Sequence, residues 1–191
     1  MHRLRQKKAA PLLSTLLATG LMSLLLSLPA AADTPEELDL KADQTLATLT
    51  GDLNLPEQLF EDAEAVLIFP TVVKSGYGAD VEYGKGTLRI GGKSVDYYET
   101  TATAFGIQVG AHKKALVLLF FDPVTLEQFR NSSEWIAGED GDIAVLKTGS
   151  ELPDPMPPLL AIALDGSGPM HSFSLEGSTF RRLVQPGTTT P

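Results

Sequence analysis

The chain has 191 residues, a formal net charge of −9 and no cysteine. A chain of this length can bury one sizeable core, which favours a single domain. The lack of cysteine excludes disulfide bonds and a lipid anchor attached through a cysteine. The excess of acidic residues argues against nucleic acid as a partner, because nucleic-acid phosphates require a basic surface.

The segment 1–32 is predicted to be a secretory signal peptide. Four basic residues lie within the first eight positions, positions 12–28 are almost wholly apolar, and three alanines end at Ala32. This order is typical of a signal cleaved after small residues. The alternative, a retained membrane anchor, needs about 20 apolar residues, slightly more than this stretch offers. Cleavage after Ala32 predicts an exported protein, either periplasmic or secreted.

The predicted cleavage leaves an acidic chain with an uneven charge. The segment 1–32 holds four of the 15 basic residues and none of the 24 acidic ones, so the remainder has a net charge of −13. Residues 33–65 hold one Lys and ten acidic residues, whereas residues 71–120 hold six basic and four acidic residues. This middle region is the part of the chain best suited to an anionic ligand.

Residues 33–64 are predicted to form an N-terminal helical segment. Thr34 suits the N-cap, Pro35 suits the first helical position, and the acidic residues that follow suit the positive end of a helix. Apolar residues then recur at helical spacing, at Leu38, Ala42, Leu46 and Leu49. We expect this helix to end at Gly51 and a shorter one to run from Pro56 to about residue 64.

Residues 65–184 are predicted to form a β-rich domain in which glycines separate short alternating segments. Residues 65–69 are typical of a buried strand ended by Pro70. Residues 77–83 alternate apolar and polar side chains, as a half-buried strand does.

Gly91 and Gly92 predict a two-residue hairpin turn between strands at 87–90 and 93–98. If Ile90 faces Lys93, then Arg89 faces Ser94 and Leu88 faces Val95. The apolar residues of both strands then share one face: Leu88, Ile90, Val95 and Tyr97.

Further strands and one helix are predicted in the rest of the domain. Alternation predicts a strand at 105–111, a polar turn at 112–114 and a central strand at 115–121. Asp122 and Pro123 then open a helix that directs Leu126 and Phe129 inward and ends near Arg130. The remaining strand candidates are residues 143–147, 159–164, 171–175 and 180–183.

These elements predict an α+β fold. The expected architecture is an antiparallel β-barrel or a strongly coiled β-sheet, with the N-terminal helices and one helix after the central strand covering it. The last residues, 185–191, are predicted to be a disordered tail.

The amino-acid sequence of the β-rich region resembles the SYLF domain family, including its exported bacterial members. The matching segments span roughly residues 60–183 and include VLIFPTVVKSGYGADVEYGKG, TLRIGGKSVDYYETTATAFGIQVGAHKKALVLLF, LEQFRNSSEW, DIAVLKTG and FSLEGSTF. The resemblance implies a non-enzymatic domain that binds acidic phospholipids, with phosphoinositides the ligands of eukaryotic members and actin a partner of some fungal ones. Three features depart from the family: the N-terminal segment is acidic where eukaryotic members have a basic amphipathic helix, Glu134 stands where a glycine is usual, and the connector at 149–158 is short and proline-rich.

The basic residues of the middle region are the candidate lipid head-group site. They are Lys74, Lys85, Arg89, Lys93, Lys113 and Lys114. Several are expected in turns, and turns that cluster would form one positive rim. The alternative is that they are solvated and pair with the nearby acids Asp80, Glu82, Asp96 and Glu99.

No catalytic constellation, cofactor motif or metal site is predicted, so we do not expect an enzyme. His112 and His171 are far apart in the sequence, and the 140–142 segment (DGD) is typical of an ordinary turn, with weak calcium binding as the alternative.

The leading hypothesis is an exported, non-enzymatic module that associates with acidic phospholipid head groups or a membrane surface. Two alternatives stay open. One is a periplasmic module that binds another envelope protein, and the other is a carrier of an apolar ligand inside the barrel.

Overall fold

A curled β-sheet with helices on both faces organises the computed structural model, which has an α+β fold. The structure describes residues 33–52, 55–75, 81–103, 113–146, 150–165, 168–170 and 173–183. The predicted signal peptide, the strand at 105–111 and the C-terminal tail lie outside the described residues, as do His112 and His171.

In the described part of the chain, three α-helices begin at the caps that the sequence predicts or close to them. Helix α1 spans Pro35–Ala47, α2 spans Glu57–Glu61 and α3 spans Pro123–Asn131. At the start of α1, Thr34 Oγ1 accepts from the Glu37 amide at 3.2 Å and the Glu37 carboxylate accepts from the Thr34 amide at 3.0 Å. This reciprocal capping box satisfies two of the free amide groups at the helix start.

Both predicted N-terminal helices end differently from expectation. Helix α1 continues into a π-helical turn, Thr48–Asp52, so the helical path passes Gly51 by one residue. Helix α2 stops at Glu61 instead of about residue 64 because the Glu64 amide already donates to the Phe120 carbonyl at 2.8 Å, joining the sheet.

Among the described residues, nine strands form one mixed sheet. They are β1 (Ala65–Ser75), β2 (Val81–Ile90), β3 (Lys93–Thr103), β4 (Lys113–Phe120), β5 (Trp135–Ile136), β6 (Ala144–Leu146), β7 (Leu159–Asp165), β8 (Gly168–Pro169) and β9 (Thr179–Arg182). Their order is β5-β9-β3-β2-β1-β4-β7-β6, with β8 also paired to β7. Only β6 and β7 pair in parallel among these strands. The coiled sheet is therefore the correct one of the two predicted architectures, with one pair that is not antiparallel.

The central strands are buried on both faces, which explains their continuous apolar sequence. In β4, Leu116, Leu118 and Phe120 belong to one core, while Val117 and Leu119 belong to the other. We call the first the aromatic face. It is covered by α3 and by the C-terminal part of the chain, and its buried rings are Phe69, Tyr98, Phe120, Phe129, Trp135, Phe173 and Phe180. We call the second the helix face, and it is covered by α1 and α2 through Ala42, Leu49 and Leu59.

The prediction that Pro70 ends the first strand is wrong. Strand β1 runs on to Ser75, and its register to β2 shifts between Ile68 and Thr71. Proline lacks an amide hydrogen, so it is tolerated where a bulge already interrupts the ladder.

The hairpin prediction is correct at the turn and wrong beyond it. Gly91 and Gly92 have φ of 56° and 76°, and Ile90 pairs with Lys93 and Arg89 with Ser94. The register then shifts, so Leu88 pairs with Asp96 instead of Val95. Val95 is the extra residue of this bulge and is 43% exposed. The bulge moves Tyr97 away from the face of Leu88.

Two further segments differ from their predictions. Lys113 and Lys114 belong to strand β4 and not to a polar turn. In the predicted strand at 171–175, the described residues Phe173 and Leu175 are buried without forming a strand. Both side chains pack in the core of the aromatic face, which anchors this segment to the sheet.

Candidate functional site

Strand alternation divides the six predicted site residues between the two faces of the sheet. Lys85 and Arg89 in β2 and Lys113 in β4 lie on the helix face. The other three lie on the aromatic face, at Lys74, Lys93 and Lys114. All six lie within strands rather than in turns or loops: Lys74 in β1, Lys85 and Arg89 in β2, Lys93 in β3, and Lys113 and Lys114 in β4. One continuous rim of all six residues is therefore not formed.

Carboxylates neutralise Lys114 and Arg89. Lys114 Nζ lies 2.6 Å from Glu82 Oε2, and its side chain is only 9% exposed. Arg89 Nη1 lies 2.5 Å from Asp43 Oδ1 of α1. The predicted alternative, pairing with nearby acids, is thus correct for Lys114 with Glu82.

The other four predicted basic residues differ in whether they interact with another charged or polar group. Lys74 interacts with another group of the protein, so its charge is not isolated. Lys85, Lys93 and Lys113 make no ion pair with the described part of the chain.

A polar cleft of about 410 Å³ brings two of the predicted residues together. It lies between α1 and the ends of β4 and β7, and we call it the lysine cleft. Its lining includes the basic residues Lys41, Lys113 and Lys114, the polar residues Gln44, Thr45, Thr48 and Thr71, and the acidic residue Asp165. Lys114 directs its ammonium group to Glu82 on the other face, and Lys41 Nζ lies 2.6 Å from Asp33 Oδ1, so among the described residues the unpaired positive charge of the cleft comes from Lys113. An ammonium group can bind a phosphate group as a point charge. The Thr45 and Thr48 hydroxyls already donate to the Lys41 and Gln44 carbonyls at 3.0 Å, so hydrogen-bond support would come from Gln44 and Thr71.

Lys41 was missed by sequence reasoning. It is the single basic residue among the ten acidic ones of residues 33–65, and its Nζ lies 2.6 Å from Asp33 Oδ1. Its helical position three residues before Gln44 and four before Thr45 was the available signal, because those residues share one side of α1.

No protein-family model matches the chain, and no curated protein matches its sequence. The chemistry of the site is therefore argued from its own residues. Within the described ranges, none of the helices has the length and apolar character that a membrane span requires.

Arg89 holds helix α1 against the β2–β3 hairpin. Its Nη2 donates to the Asp39 carbonyl at 3.0 Å, in addition to the Asp43 pair, and most of the side chain is buried. The Asp39 carboxylate accepts from Ser94 Oγ at 2.7 Å and from the Tyr97 hydroxyl at 2.9 Å. Burial and then the bond to Asp39 raise the pKa of Tyr97 to about 12. Arg89 thus has a structural partner, and its position is less open to a ligand than that of Lys113.

A second charged group lies on the aromatic face, around Asp96. Arg130 of α3 donates from Nε and Nη2 to Asp96 Oδ2 at 3.1 and 2.9 Å. Arg182 of β9 places Nη1 3.8 Å from Asp96 Oδ1. Sequence reasoning treated Arg130 as a helix end and did not consider Arg182, because the pairing of β9 with β3 is a long-range contact.

The predicted turn at residues 140–142 is ordinary in its bonding. Asp140 Oδ2 accepts from the Ile136 amide at 2.7 Å, so this carboxylate stabilises the turn. Across the residues that the structure describes, no three His, Cys, Asp or Glu side chains are grouped as a metal site would need.

The interior of the curled sheet is filled by aromatic rings. Phe129 lies at the centre, with ring centroids 5.0 Å from Tyr98 and Phe120, 5.5 Å from Trp135 and 6.0 Å from Phe180. These rings pack against one another in the core of the aromatic face.

Proposed function

We propose that this protein is an exported, non-enzymatic binding module that holds the phosphate of acidic phospholipid head groups in the lysine cleft. The observation that carries the proposal is that Lys113, which has no ion pair with a described residue, lines one polar opening with Lys41 in an otherwise acidic protein. The ligand class follows from the resemblance to the SYLF family, and the export from the predicted signal peptide.

The charges around the cleft support an anionic ligand. Lys113 is exposed and makes no ion pair with a described residue, so its full charge is available. Each basic residue near an anionic membrane surface contributes about 1 kcal/mol of attraction. Lys41 shares its charge with Asp33, and Asp165 offsets part of the rest, so binding is expected to be modest and salt-dependent.

The acidic start of α1 does not prevent this approach. Glu36 and Glu37 lie in the first turn, whereas Thr48 at the other end of the helix lines the cleft. At 1.5 Å per residue, Glu36 and Thr48 are about 18 Å apart along the axis. Salt screens exposed charges beyond about 8 Å at physiological ionic strength. A membrane that meets the Thr48 end of the cleft is therefore screened from the first turn, whereas Lys41 lies about 7.5 Å from Glu36 along the axis and feels its charge.

Vesicle flotation tests the proposal. The purified protein is expected to float with vesicles that contain an acidic phospholipid, to stay in solution with vesicles of a zwitterionic lipid alone, and to be released at high salt. Lys113→Glu is expected to abolish flotation because it reverses an exposed charge of the cleft that has no carboxylate partner among the described residues.

Lys93→Glu is the matched control, because it makes the same charge change at the exposed hairpin turn on the other face of the sheet. It is expected to float as the parent does. Equal losses in the two variants would show that only net charge matters, which contradicts a site in the cleft. No flotation of the parent protein at low salt would overturn the proposal outright.

A further inference from the structure

Arg130 and Arg182 bring two guanidinium groups to one cavity on the aromatic face. The cavity measures about 360 Å³ and is lined by Pro123, Leu126, Glu127, Arg130, Asn131 and Arg182. The two arginines come from α3 and β9, which are far apart in the sequence, so only the fold places them together. Their side chains are 38% and 47% exposed, which leaves both accessible to a small solute.

The two guanidinium groups differ in how many of their N–H donors are hydrogen-bonded within the described part of the chain. Arg130 is fixed by two hydrogen bonds to one oxygen of Asp96. Arg182 has only the 3.8 Å ion pair to the other oxygen, and its side chain makes no hydrogen bond to any residue in the described part of the chain. A guanidinium group has five N–H donors. Arg182 therefore has N–H donors with no acceptor among the described residues. The Arg130 guanidinium group beside it is held in place by Asp96.

A buried hydroxyl lies within reach of these charges, although Tyr98 does not itself line the cavity. Tyr98 faces Arg182 directly in the β3–β9 ladder and is 1% exposed, and its hydroxyl has no hydrogen-bond partner among the described residues. The charges of Asp96, Arg182 and Arg130 all act on this hydroxyl, and burial is the main cause that raises its pKa to about 12. A protonated hydroxyl donor without a partner in a protein interior is costly and points to a missing acceptor.

We infer that Arg130, Arg182 and the Tyr98 hydroxyl form a second anion-binding site, which takes the phosphate group of a small phosphate monoester. Two arginines supply donors from two directions, and a tetrahedral phosphate has acceptor oxygens for both and for the hydroxyl. Asp96 orients Arg130 and neutralises one of the two positive charges, and Glu127 in the lining offsets part of the other. The cavity has room for a small group esterified to the phosphate. The phosphate can come from a soluble ester or from a lipid head group.

The test is an NMR titration of the purified protein with inorganic phosphate, carried out in the Lys113→Glu background so that the lysine cleft does not contribute. Arg182→Ala is expected to weaken phosphate binding by about tenfold or more, since it removes charge-assisted hydrogen bonds. Tyr98→Phe keeps the ring in the core and is expected to weaken binding several-fold. Arg182→Lys is expected to recover part of the loss.

Arg181→Ala is the matched control. Arg181 is the neighbouring residue on the same strand, but it faces the other side of the sheet and pairs with Glu134 at 2.6 Å and Glu99 at 3.4 Å. It removes the same charge and is expected to leave phosphate binding unchanged. The proposal is overturned if Arg182→Ala binds phosphate as its parent does, if Arg181→Ala loses as much, or if Tyr98→Phe loses nothing.

Two further ligands distinguish the sources of the phosphate. Glycerol 3-phosphate represents a soluble ester, and vesicles containing phosphatidic acid represent a lipid head group. The vesicle arm keeps Lys113, because Lys113→Glu is itself expected to abolish flotation. A loss in Arg182→Ala with both ligands assigns the site to lipid, and a loss with glycerol 3-phosphate alone assigns it to soluble esters. Either result supports the site.

Discussion

Tyr97 donates its phenolic hydrogen to Asp39 over 2.9 Å, which joins the β2–β3 hairpin to helix α1 across 58 residues of sequence. The same carboxylate accepts from Ser94, and Arg89 adds bonds to the Asp39 carbonyl and the Asp43 carboxylate. Helix α1 is thus held by polar contacts at the hairpin and by Ala42 and Leu49 in the core. The bulge at Val95 makes this possible because it turns Tyr97 toward α1.

Replacing Tyr97 by Phe is expected to lower the free energy of unfolding by about 1 kcal/mol, because a buried hydrogen bond is lost and the Asp39 carboxylate keeps only one side-chain donor. Urea denaturation measures the change. Tyr83→Phe is the control, since Tyr83 is also half-buried on the helix face and makes no hydrogen bond to another described residue. Equal effects at the two positions would contradict the role of the Tyr97–Asp39 bond.

The protein is expected to lose stability between pH 10 and pH 12. Burial raises the pKa of Tyr97 and of Tyr98 from 10.0 to about 12, so the folded state favours the protonated phenols. Stability from these groups is complete below pH 10 and is lost as the pH rises through the folded-state values. Phenolate absorbance during an alkaline titration should show these two tyrosines ionising late, and Tyr97→Phe should remove one of them. Late ionisation that is unchanged in this variant would contradict the assignment.

The elements that the sequence predicted well are those with a local cause. The capping box at Thr34 and the glycine turn at Gly91 depend on residues a few positions apart, and the burial of β4 follows from its own apolar run. The bulges near Pro70 and at Val95 depend on how two strands fit together, and no local pattern marks them. A shift of one residue moves every later side chain to the other face.

The candidate site was harder to predict for the same reason. Lys113 and Lys114 are adjacent in sequence, yet the first is exposed at the cleft and the second is buried against Glu82. That difference follows from strand β4 continuing where a turn was expected. The pairing of Tyr98 with Arg182 joins the middle of the chain to its C-terminal part, and it depends on the order of β3 and β9 in the sheet.

Asp122 is expected to stabilise α3 as its N-cap. Its carboxylate accepts from the Thr125 hydroxyl and from the Thr125 amide, both at 2.7 Å, and these bonds hold its pKa below the ordinary value of 3.8. Asp122→Ala should lower the urea midpoint, whereas Asp122→Asn should keep most of the stability because asparagine caps helices well. The stability that the Asp122 charge adds is present above its ordinary pKa and is lost as the pH falls through the lowered value. A midpoint in Asp122→Asn as low as in Asp122→Ala would contradict the capping role.

Gly86 is expected to be required for the contact between strands β1 and β2. A Cβ atom there would meet the Ile68 carbonyl oxygen and would lie 2.7 Å from a ring carbon of Phe69. The Phe69 ring lies 5.8 Å from that of Phe180, so a displacement at Gly86 would spread into the aromatic core. Gly86→Ala should therefore lower the free energy of unfolding by about 1–3 kcal/mol, the usual cost of overpacking.

Gly51→Ala is the matched control for this prediction. A Cβ atom at Gly51 meets nothing within 4 Å, and its backbone does not require a positive φ. Alanine there restricts the unfolded chain and should raise stability by about 0.4–1 kcal/mol. The same chemical change is thus expected to have opposite signs at the two glycines, as measured by urea denaturation. A neutral result at Gly86 would mean that β1 and β2 can separate at the bulge without disturbing the Phe69 ring, and that the aromatic core is less tightly packed than the ring distances indicate.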